Sequence, residues 1–100
     1  MQGLLIKNHK ELEILDKHGF LYILRHQRRS EGIHPLKDYN RITICNVKVT
    51  LLDLIKTSSF REIGDKYLDR SGHETVKEWL YSYGNNTHSR IWIYMIERMN

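Results

Sequence analysis

At 100 residues the chain has the length of one domain with its own hydrophobic core, so residues 1–100 are read as one unit. A lone cysteine, Cys45, excludes an internal disulfide, the six histidines never fall at paired zinc-ligand spacing, and the longest apolar run, 91–96, is far too short to span a membrane. The net charge of +4 is confined to residues 25–48, where Arg25, Arg28, Arg29, Lys37, Arg41 and Lys48 are opposed only by Glu31 and Asp38, and such a concentrated excess attracts polyanions.

In chain order, residues 1–7 are too short for the apolar region of a signal peptide, and a cytoplasmic protein is expected. Residues 9–18 set Leu12, Ile14 and Leu15 among charges and end at Gly19, as a short helix does. Residues 20–25 read as a strand with Leu21, Ile23 and Arg25 on one face and Phe20, Tyr22 and Leu24 on the other. Gly32, Pro35 and the basic residues then predict an exposed loop over 26–39. Strands resume over 41–45 and 47–55, with a bend at Asn46. Ser59 and Glu62 have capping-box spacing, and Phe60, Ile63, Tyr67 and Leu68 continue a helix that stops at Gly72. Val76, Trp79, Leu80 and Tyr83 mark another short helix, and residues 90–98 a last strand. Helices inserted into a series of short strands predict an α+β domain, with the strands closing as a small β-barrel.

The order of these pieces resembles the ASCH domains of the PUA-like superfamily over almost the whole chain. Residues 7–19 are similar to that family's first helix, 20–29 to its signature strand, and Lys37-Asp38 to the turn before its next strand. Val47-Lys48-Val49, Phe60-Arg61-Glu62-Ile63, Asp65 through Gly72, Thr75 through Leu80, Tyr83 and residues 91–96 then follow in the family's order. The resemblance implies a small PUA-like barrel with a short N-terminal helix, two helices before the last strand, and a cleft beside the signature strand. It also implies a superfamily that commonly binds RNA or modified nucleosides. Members that hydrolyse acetylated cytidine carry G-x-K-x-x-T-x-R and a later glutamate. Aligned on Arg25, the lysine position holds Phe20, the threonine position Ile23, and the glutamate falls near Ser71, with Asp69 or Glu74 as neighbouring acids. Neither Phe20 nor Ile23 can transfer a proton, so no enzyme is expected.

The candidate contact residues are Arg25, Gln27, Arg28 and Arg29, with Lys37, Arg41 and Lys48 adding charge and Tyr67 and Arg70 beside them. Arginine binds phosphate bidentately and stacks on bases, whereas lysine acts as a compact charge. Gln27, two residues from Arg25 on an extended segment, would present an amide beside a guanidinium. Trp79, Tyr83 and Trp92 have core spacing, Tyr67 and Tyr81 sit among charges and could reach the surface, and Cys45 reads as a small buried hydrophobe. His26 and His34 read as polar loop residues. The expectation is a non-catalytic module for RNA or single-stranded nucleic acid, RNA being favoured on the resemblance alone, with no cofactor, metal or membrane partner. A hydrolase acting on a modified nucleoside or nucleotide is the alternative, and pairing of a protein partner along strand 90–99 a third reading. Oligomeric state is left open.

Overall fold

The computed structural model describes residues 4–6, 8–25, 30–38, 40–56, 59–82 and 90–99. Along the chain lie β1 (Leu4–Leu5), α1 (His9–His18), β2 (Phe20–Arg25), β3 (Gly32–Lys37), β4 (Thr43–Lys56), α2 (Phe60–Gly64), a 3-10 turn (Leu68–Arg70), α3 (Val76–Ser82) and β5 (Arg90–Met99). Among the described residues these five strands form one mixed sheet, β1-β3-β4-β5-β2, parallel only between β1 and β3 and curled into a half-barrel. The fold is therefore α+β, as the sequence predicts.

Local signals set the helix ends. The Asn8 side chain accepts the Lys10 N–H at 2.8 Å, and Gly19, left-handed at φ 83°, donates its N–H to Leu15 O at 2.8 Å. Thr75 Oγ1 caps α3 by accepting the Glu78 N–H at 3.0 Å. Each face of the sheet carries a hydrophobic core. On the inner face, Leu21, Ile23, Leu36, Val47, Val49, Tyr94 and Ile96 pack with Leu15 of α1 and with Leu4 and Ile6. On the outer face, Leu24, Ile55, Ile91 and Ile93 pack with Phe60, Val76 and Trp79. Helices of five and seven residues have little stability of their own, so burial of Phe60 and Trp79 is what anchors α2 and α3. His73, itself buried, joins this segment to α1: its Nε2 lies 3.0 Å from the Glu11 carboxylate and its Nδ1 3.5 Å from that of Glu78.

One residue lets β4 serve both cores. Leu51 pairs with Tyr94 but Asp53 with Ile93, so Leu52 is an extra residue that the partner does not match. Side chains alternate with period two, and the bulge shifts the odd-numbered residues from one face to the other. Val47 and Val49 thus reach the inner core, and Ile55 the outer.

Several expectations need correction. The predicted loop contains a strand, β3; its Pro35 costs no bond to β4 because, two residues from Lys37 whose carbonyl accepts from Ile6, it turns its nitrogen to the side away from β4. Strand β4 runs unbroken through Asn46, and its irregularities lie at Ile44 and Leu52. The helix expected to reach Gly72 ends at Gly64, packed so closely that a Cβ there would lie 2.9 Å from the Phe60 ring, and the chain continues through turns. Strand β5 is interior, between β4 and β2, so among the described residues its Trp92–Glu97 stretch offers no edge to a partner. Tyr83 and His26 lie outside the described residues.

Candidate nucleic-acid interface

The candidate contact residues and their basic and aromatic neighbours occupy several places. Lys48 is exposed on the outer face of β4, in register with Ile33 on one side and Glu97 on the other. Arg70 lies on the same face, its guanidinium carbon 5.6 Å from the centre of the Phe20 ring, and Phe20 pairs with Glu97. Glu97 therefore separates these two cations. Tyr67 does not stand clear of the protein: it is half-buried, edge-on to Tyr22 at 5.0 Å. Burial first, then the Asp53 carboxylate and Tyr22, hold its phenol above the usual range. Tyr81, in contrast, is 63% exposed.

Lys37 ends β3, half-buried beside Leu5, and Arg41 is exposed in the turn that follows. There the Asp38 carboxylate accepts the N–H groups of Asn40 (2.8 Å) and Ile42 (3.1 Å), and Arg41 adopts a left-handed φ of 64°. The other acid of the basic segment, Glu31, accepts the Leu51 N–H at 2.8 Å, beyond the reach of β3. Both acids thus serve the backbone. His34 lies 2.9 Å from Ser30 O. Gln27, Arg28 and Arg29 lie outside the described residues.

Arg25 has the most informative position. It continues the inward-facing series Leu21, Ile23 at the end of β2, while Arg98 N–H bonded to Gly19 O fixes the ladder so that Leu24's carbonyl points to the open edge. The guanidinium donates to Leu24 O at 2.6 Å and to Leu5 O at 3.1 Å, one carbonyl from each edge strand. It spans the gap of the half-barrel. In register across the sheet, Arg25 neighbours Trp92, and Trp92 neighbours Leu54. Trp92 packs partly on the inner core and is half-buried, and Leu54 is 41% exposed, so this row is the open end of the inner face. Sequence spacing predicts core for Trp92, and it packs against that core at its margin, one row beyond Ile23-Tyr94-Leu51. Cys45 is likewise only half-buried, and burial raises its thiol above the usual value.

Among the described residues no group of three or more His, Cys, Asp or Glu is placed to hold a metal ion, and no helix is long and apolar enough to cross a membrane. The class that the fold defines is an α+β half-barrel. No family model, curated protein or solved structure matches the chain.

Proposed function

We propose that this protein is a non-catalytic nucleic-acid-binding module of the ASCH, PUA-like kind, taking single-stranded RNA at the open end of the inner face. The observation that carries the reading is the Arg25-Trp92-Leu54 row at the head of the segment that holds the whole net charge. Trp92 supplies a stacking platform that tolerates any base, Arg25 a guanidinium beside it, and Gln27, Arg28 and Arg29 follow directly in the chain. Lys37, Arg41 and Lys48 extend the field. The non-catalytic part is supported at the two aligned positions: Ile23 is 1% exposed within the inner core and Phe20 lies under Arg70, and neither side chain transfers protons.

A salt-series titration with single-stranded RNA, duplex RNA and duplex DNA tests this reading. Single-stranded RNA is expected to bind best, and alanine at both Arg28 and Arg29 should lower the salt slope by about 0.7 for each phosphate that is no longer neutralised. Trp92→Ala should weaken binding by about 1–3 kcal/mol without changing the slope, and Trp92→Phe should recover most of it. Because Arg25 also bridges the sheet edges, its substitution is judged only beside a measured unfolding curve. Equal losses from Lys10, Lys17 and Lys77 changed together, a set outside the basic segment, would mean that binding follows total charge, and the site would be abandoned.

A further inference from the structure

A concavity with a volume of about 290 Å³ lies between α1 and the β3–β4 hairpin. Arg98 marks its end, six residues along β5 from Trp92, a separation of about 20 Å at roughly 3.4 Å per residue. Its floor is apolar: Leu12 and Leu15 of α1, Leu36 of β3, and Ile44 and Cys45 of β4. Two consecutive strand residues normally face opposite ways. Ile44 joins Cys45 here because it is the unmatched residue of a bulge, Leu36 pairing with Cys45 and Lys37 with Thr43. Bulges re-aim side chains in this manner, often beside binding sites. The result leaves Ile44 46% exposed, an apolar group in a hollow rather than on a convex surface.

The rim carries the polar groups. Asp16 is paired with Arg98, which cancels both charges, and His9 lies at the start of α1. Glu13 engages no ion-pair partner among the described residues. An apolar hollow with one uncompensated carboxylate suits a ligand with an apolar body and one positive charge, and repels carboxylates and phosphates. We propose that this cleft is a binding site for a small organic monocation with an apolar body, of the arylalkylamine class. The charge it selects is opposite to that of the nucleic acid proposed at the Arg25-Trp92 row.

Cys45 is the chain's only cysteine, so any thiol readout reports the floor of this cleft. The intact protein is treated with methyl methanethiosulfonate, the modified fraction is followed by mass, and phenethylamine, phenethyl alcohol and phenylacetate are titrated in. Phenethylamine should slow modification saturably, and the alcohol should protect about two- to fivefold more weakly, the worth of one exposed carboxylate pair. Phenylacetate should protect least. Glu13→Gln, at an exposed position, should bring the amine down to the alcohol. Amide shifts of Ile44 and Cys45 in NMR titrations read the same binding without reaction of the thiol. Absence of saturable effects in both measurements would overturn the site. Equal protection by amine and alcohol, protection by phenylacetate as strong as by the amine, or an unchanged amine preference in Glu13→Gln would overturn the ligand class.

Discussion

Replacing Gly72 by alanine separates two costs that are usually confounded, because Gly19 provides a matched control. The two residues have nearly the same left-handed backbone, φ 81° and φ 83°. A Cβ on Gly19 would meet nothing within 4 Å, whereas one on Gly72 would lie 2.9 Å from the Glu11 nitrogen and 3.0 Å from its Cα. Those atoms are backbone in the first turn of α1 and cannot rotate aside. Gly19→Ala should therefore cost only the left-handed penalty, about 1–2 kcal/mol. Gly72→Ala should cost that amount plus about 1–3 kcal/mol for overpacking. Thermal unfolding reads the difference, at about 4–8 °C per kcal/mol for a domain of this size. The midpoint of Gly72→Ala should fall clearly further than that of Gly19→Ala. If the two fall equally, α1 does not pack on the residue 71–73 turn as described, and the Glu11–His73 pair is left without support too.

Arg41→Gly should raise stability by about 0.5–1 kcal/mol, because relief of the left-handed strain exceeds the entropy that glycine adds to the unfolded chain. A lowered thermal midpoint would refute the turn geometry. Tyr67 tests the outer face through pH. Its phenol, raised above 10.0 first by burial, gives stability that is complete below that value and lost as pH rises through the folded one. Tyr67→Phe should flatten the alkaline decline in urea midpoint, and an unchanged decline would show that Tyr67 is not desolvated.

What was legible in the sequence follows from how local each signal is. Helix α1 could be read because Gly19 and the apolar spacing of Leu12 and Leu15 are properties of neighbouring residues. Strand β2 and helix α3 were legible for the same reason. Strand β3 was not, since Gly32 and Pro35 look like loop until their pairing with β4 is known. Two-residue β1 has no periodicity to detect. For the binding face, charge gave the segment but not the arrangement: Lys48 and Arg70 prove to be divided by Glu97, while Trp92 joins Arg25 through a register that only pairing reveals.

The extra residue at Leu52 makes β4 a strand whose parity changes along its length. Most substitutions there would be cheap, since Leu52 belongs to neither core and is 38% exposed. Deletion is another matter. With a period of two, removing one residue would exchange inside and outside for everything beyond it, turning Asp53 and Ile55 away from their present sides. At this position the chain is indifferent to the letter and bound by the count, so its length there encodes which of the two hydrophobic cores each half of the strand completes.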